Sequence, residues 1–97
     1  MTAEMTDRQR ELSRHALGLP NDRRVTYRNR FIVGPGMTNF QEWEDLAEKG
    51  LAVKSAGETA NCYQLTLAAA RMVLHKNERI CREDADHMRT LTPWSKQ

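Results

Sequence analysis

A chain of 97 residues, 39% apolar and 29% charged, can hold a single hydrophobic core, which excludes a second domain and disfavours a disordered chain. The net charge of +2 is too small to signal indiscriminate binding to nucleic acid or membrane, but it is unevenly spread: residues 1–36 carry +3, residues 37–60 carry −3 and the remainder +2. No run approaches a membrane span, Met1–Glu11 is charged where an export leader needs its apolar stretch, and two cysteines, Cys62 and Cys81, are too few for a disulfide framework, so a cytoplasmic protein with free thiols and no membrane contact is expected.

Thr6 with Gln9 three residues later has the form of a capping box, and Leu12, Ala16 and Leu19 then recur on one side of a first helix. Gly18, Pro20 and Asn21-Asp22 end it. From Arg24 the period changes to two, with Val25, Tyr27, Phe31 and Val33 expected on one side of an extended segment and Arg24, Thr26, Arg28 and Arg30 on the other. Asn29 is the one misfit on the apolar side. Gly34-Pro35-Gly36 reads as a turn, and Asn39 with Glu42 as a second box opening a helix that carries Phe40, Trp43, Leu46 and Ala47 and stops at Gly50.

Leu51–Ser55 and Cys62–Thr66 read as the strands of a hairpin around the polar turn 56–61. Leu51, Val53, Tyr63 and Leu65 are expected to face inward, with Lys54, Gln64 and the turn around Gly57 exposed. Thr66 caps a third helix running from Leu67 to about His75, with Leu67, Ala70, Val73 and Leu74 on its apolar side. Residues 77–97 read as a polar tail with one short helical turn near Arg82–Met88 and an apolar end at Leu91, Pro93 and Trp94; residues 1–76 are the domain.

Helix, extended segment, helix, hairpin, helix is the order of a winged helix, an α+β class in which the hairpin is the wing and the preceding helix fills the recognition position. Gly50-Leu51-Ala52 followed by Tyr63-Gln64-Leu65-Thr66 resembles the wing pattern of MarR- and PadR-type winged-helix proteins over residues 39–75. The resemblance implies that the leucine and tyrosine pack the wing on the core. An inverted hairpin register, or a helix across residues 51–66, would sink the winged-helix reading. A second resemblance, through Arg14–Leu19, Tyr27–Phe31, Gly34–Gly36 and Trp43–Leu51, is to a family of short phage and prophage proteins, which implies an accessory protein of a mobile element acting in the host cytosol.

Catalysis finds no support, because the sequence contains no nucleophile elbow, phosphate-binding glycine loop, zinc-protease motif or dinucleotide fingerprint. Cys62, His75, Cys81 and His87 have irregular gaps and no C-x-x-C pair, so neither a metal nor a cofactor is expected. The second helix offers Glu42, Glu44, Asp45 and Glu48 against Lys49 alone, a poor face to lay against phosphates. Those acids are either solvated or set against a basic protein.

Arg23, Arg24, Arg28 and Arg30 form the best contact surface, able to grip phosphates or protein carboxylates; the alternative is internal pairing with the acids of the second helix. With Glu44, Asp45, Glu48 and Trp94 they make up the expected partner-binding set. The expected function is a non-enzymatic phage-type protein that binds a host protein or a protein–nucleic acid complex, for instance as an inhibitor of a CRISPR-type defence complex. The alternative is a winged-helix DNA-binding regulator using the arginine row and the wing.

Overall fold

A computed structural model describes residues 4–91. In the first helix, α1 (Asp7–Ala16), the capping box forms as the spacing requires: Thr6 Oγ1 accepts the Gln9 N–H and Gln9 Oε1 accepts the Thr6 N–H, both at 3.0 Å. Its end is a Schellman turn, with Gly18 at φ 84°, the Gly18 N–H on the His15 carbonyl at 3.0 Å and the Leu19 N–H on the Arg14 carbonyl at 2.8 Å. A side chain at Gly18 would also overlap the Tyr27 ring.

The alternation expected from Arg24 onward survives only in β1 (Phe31–Val33). Ahead of it the sides are reversed: Thr26 is 2% exposed and Tyr27 is 64% exposed. Three local events cause this. Arg24 turns left-handed at φ 59°, Val25 forms an isolated parallel bridge with Arg79, and the Thr26 hydroxyl donates to Asp84 (2.7 Å) while accepting the Cys81 N–H (3.0 Å). A threonine with both hydrogen-bonding roles filled is buried at little penalty, and it takes the place foreseen for the tyrosine. Asn29, the misfit, has a role of its own: its side-chain amide donates to the Leu65 carbonyl (3.0 Å) and accepts the Leu65 N–H (2.9 Å), continuing the sheet two residues beyond Phe31 without backbone pairing.

Gly34–Met37 is a turn with Pro35 second and Gly36 third at φ 83°, closed by the Met37 N–H on the Gly34 carbonyl at 3.0 Å; it is a type II turn. In α2 (Phe40–Glu48) Trp43 and Leu46 are buried as expected, but the cap is not formed. Asn39 sits at φ 77°, outside the extended region a capping side chain needs, and its Oδ1 instead accepts Arg8 at 2.7 Å.

The sheet is antiparallel in the order β1-β3-β2, with β2 (Ala52–Ser55) and β3 (Asn61–Leu65) joined by the loop 56–60. Tyr63 and Leu65 face the core, as the alternation of β3 predicts. In β2, Leu51 is buried and Lys54 exposed as expected, but the register reverses the faces of Val53 and Lys54. Ala52 lies opposite Leu65 and Lys54 opposite Tyr63, so Ala52 and Lys54 share the inner face, while Val53 lies opposite Gln64 on the outer one. Leu51 explains the shift: it is buried as the residue that closes α2, its N–H on the Leu46 carbonyl at 2.9 Å, and the ladder begins one residue later.

Thr66 caps α3 (Leu67–Met72) through the Ala69 N–H at 3.2 Å; the helix stops short of His75, whose N–H goes to Glu78 Oε1 at 2.7 Å, and Arg10 and Arg14 cap the Met72 and Val73 carbonyls at 2.8 and 2.9 Å. Beyond it, α4 (Arg82–Thr90) is longer than the single turn expected, and Met88 is buried in the same core as Leu12, Trp43 and Tyr63. Arg14 holds Glu78 through two bonds of 2.5 and 2.8 Å, so residues 77–91 are joined to the body where a polar tail was expected. Pro93 and Trp94 lie outside the described residues. Among the described residues, no helix is long and apolar enough to cross a membrane.

Candidate interaction surface

The four candidate arginines stay outside the core, in two groups. Arg23 and Arg24 are exposed in a turn held by Asn21, whose Oδ1 and carbonyl both accept the Arg24 N–H, at 2.8 and 3.2 Å. The Arg24 carbonyl accepts the Arg79 N–H at 2.9 Å, which brings a further exposed arginine alongside. Arg28 and Arg30 lie against the end of α1. The Arg28 guanidinium donates to the His15 carbonyl through Nη2 at 2.7 Å and Nε at 3.3 Å, and rests 5.4 Å from the centre of the Tyr27 ring. The Arg30 N–H caps the Ala16 carbonyl at 3.2 Å and its side chain is exposed.

His15, Arg28, Arg30, Phe31 and Ile32 line an open cleft of about 290 Å³ with no carboxylate among them. The Phe31 ring is its floor: its inner side stacks on Trp43 at 5.1 Å, and the His15 ring meets it edge-on at 5.8 Å. Ile32, in the lining, is 61% exposed, and Tyr27, whose ring lies against the Arg28 guanidinium, is 64% exposed; they are two of the largest apolar side chains left open to solvent among the described residues. Among the same residues the ion pairs are Arg8–Glu11, Arg14–Glu78, Lys49–Asp45, Lys54–Glu44 and Arg89–Asp86, so none of Arg23, Arg24, Arg28 and Arg30 is neutralised by an acid of α2.

The acids of α2 are differently placed. Glu44 accepts the Tyr63 hydroxyl and the Lys54 ammonium, the latter at 3.2 Å, and these two donors, the hydroxyl first, hold its carboxyl below the usual carboxylate range. Burial and the adjacent carboxylate push the Tyr63 phenol up to about 12. Asp45 accepts Gln9 at 2.7 Å and Lys49 at 3.0 Å, and is likewise held below its ordinary value, mainly by the Gln9 amide. Glu44 and Asp45 therefore tie α2 to the sheet and to α1, and of the three expected contact acids only Glu48 is an exposed residue.

The contributions of Tyr27, Ile32, His15 and Arg79 to this surface were not visible in sequence. The two-residue alternation assigns Tyr27 to the apolar side, and Ile32 falls between Phe31 and Val33, the two positions assigned there. Only the isolated bridge, a contact across 54 residues, places Arg79 near Arg24. Among the described residues, no three His, Cys, Asp or Glu side chains gather where a metal ion could be held. Comparison with known proteins finds no matching family, no similar curated protein and no similar solved structure.

Proposed function

We propose that this protein acts by binding another protein, through the face formed by Tyr27, Arg28, Arg30 and Ile32, and performs no chemistry of its own. The observation that carries this reading is the cleft: two arginines that no acid neutralises among the described residues, beside exposed Tyr27 and Ile32. Tyrosine and arginine dominate the energetics of protein interfaces, where an aromatic anchor fills a pocket and a guanidinium makes charge-assisted bonds. Arg28 is already ordered by the His15 carbonyl and the Tyr27 ring, so less freedom is lost when it meets a carboxylate.

The phage-like resemblance makes a complex in the bacterial cytosol the natural partner, and inhibition of a CRISPR-type defence complex the most concrete form of this function. The second reading, a winged-helix DNA-binding regulator, is favoured by the element order and by exposed Arg23, Arg24 and Arg79. Weighing against it are the acid-bearing α2 in the recognition position, the inverted face of β2 and the single helix ahead of α2.

Affinity capture from a bacterial lysate, with and without nuclease, tests the choice. A protein retained after nuclease by the unmodified chain, and lost by the Arg28→Ala/Arg30→Ala variant, is the expected result. Capture that vanishes with nuclease, together with a salt-resistant, sequence-selective shift of duplex DNA, would install the regulator instead.

A further inference from the structure

Asn29 and Leu65 determine which way the backbone of β1 faces. The Leu65 N–H and carbonyl both engage the Asn29 side chain, so these groups of β3 point toward β1, whereas the Thr66 N–H points the other way, to the Leu51 carbonyl at 3.1 Å. In an antiparallel ladder this alternation continues residue by residue. Phe31 opposite Tyr63 and Val33 opposite Asn61 are then the hydrogen-bonded pairs, and Ile32, opposite Cys62, directs its N–H and carbonyl away from the sheet.

The residues of the same parity confirm the direction. The Arg30 N–H points outward onto the Ala16 carbonyl, and the Gly34 N–H points outward onto Met37 Sδ at 3.1 Å. At Ile32, between them, the outward main-chain pair has no partner among the described residues, and its side chain is exposed too. The cleft lined by His15, Arg28, Arg30 and Phe31 adjoins this open edge.

We infer that the edge of β1 takes an extended acidic peptide segment of the partner as an added strand, its main chain pairing with the Ile32 N–H and carbonyl and its carboxylates meeting Arg28 and Arg30. This rests on the protein-binding reading and names the form of the bound segment. The charge argument selects the occupant: the lining is cationic and carries no acid, and alternate side chains of an added strand recur at the two-residue spacing that separates Arg28 from Arg30. A second copy of this chain fits poorly, because two β1 edges side by side would bring both arginine pairs together. Phosphodiesters have no N–H with which to satisfy the Ile32 carbonyl. The open edge is one residue wide, so the main chain supplies register while the arginines, Tyr27 and Ile32 supply most of the affinity.

The test uses a short acetylated and amidated peptide of alternating glutamate and valine, and the same peptide N-methylated at alternate residues in either phase. Binding of the first should slow hydrogen exchange at the Ile32 amide by about tenfold or more. At least one N-methylated form should bind about tenfold more weakly, as should the first peptide to the Arg28→Ala/Arg30→Ala protein. Equal binding of all the peptides, binding without protection of Ile32, or no binding would overturn the added strand. Protection of Ile32 that rises with protein concentration alone would assign the edge to a second copy. Protection of Ile32 by duplex DNA would overturn the peptide as well. If the edge fails while the double variant still loses its captured protein, the binding function stands without the strand; if capture is also unchanged, both fall.

Discussion

Arg14 and Glu78 illustrate how much a single pair can carry in so small a core. Both side chains are largely buried, at 12% and 8% exposure, and the guanidinium meets both carboxylate oxygens. The Arg14 bonds, with help from the His75 N–H, hold Glu78 at about 2, well under its ordinary 4.5. Because the folded value is the depressed one, the stabilisation is fully present above 4.5 and is lost as pH falls toward 2. Glu78→Gln should therefore lower the unfolding free energy by about 3 kcal/mol at neutral pH, and the gap to the unmodified protein should close in acid. Urea denaturation at a series of pH values measures it.

At the same scale, two glycines with nearly equal φ make a controlled comparison. Gly36 has open space where a Cβ would go, whereas at Gly18 a Cβ would run into the Tyr27 ring. Gly36→Ala should cost about 1 kcal/mol from left-handed strain alone. Gly18→Ala should cost more, and should also displace Tyr27, visible as a change in its ring resonances.

Elements depend on contacts that are local in some places and distant in others, and this decides what could be read in advance. The Thr6–Gln9 box, the glycine endings of α1 and α2, the type II turn and the Thr66 cap are each made within a few residues, and each was legible. Asn39 shows the opposite case: Arg8, 31 positions away, takes the side chain that local spacing assigned to a cap. Thr26 and Tyr27 exchange sides because Asp84 and Cys81 lie 58 and 55 positions off.

The inverted face of β2 had a local cause, but Leu51 serves equally well as a strand residue or as a helix closer, and only the register decides. Asn29 turns the same argument into a measurement. Asn29→Ala leaves the Leu65 N–H and carbonyl without their partner and should destabilise by about 2 kcal/mol. Asn29→Asp should not rescue it, since a carboxylate cannot donate to the Leu65 carbonyl. Fast exchange at the Leu65 amide in Asn29→Ala would report the loss directly.

For the molecule as a whole, charge is divided between groups that bind inward and groups that remain free. Arg10, Arg14, Glu44, Asp45, Lys49 and Lys54 are committed to carbonyls or to one another, while Arg23, Arg24, Arg30 and Arg79 remain exposed. Replacing Arg24, Arg28 and Arg30 with Ala should weaken partner binding and flatten its salt dependence, with Tm shifted by only a few degrees through loss of the Arg28 cap on His15. Glu44→Gln and Asp45→Asn should instead lower stability first, because their partners lie inside the chain; a change in binding without a change in Tm would show these acids to be contact residues.

The bonds from Arg10 and Arg14 to residues 72, 73 and 78 span 59 to 64 positions, and their bearing is on the order in which the protein is made. On a ribosome the first helix emerges long before the groups that receive its arginines. The first helix can form its capped turns early, but it cannot make these bonds until residues 72–78 are also free, so its docking waits for them. A chain stopped at residue 76 should accordingly remain protease-sensitive while tethered or free, and one extended through residue 91 should become resistant.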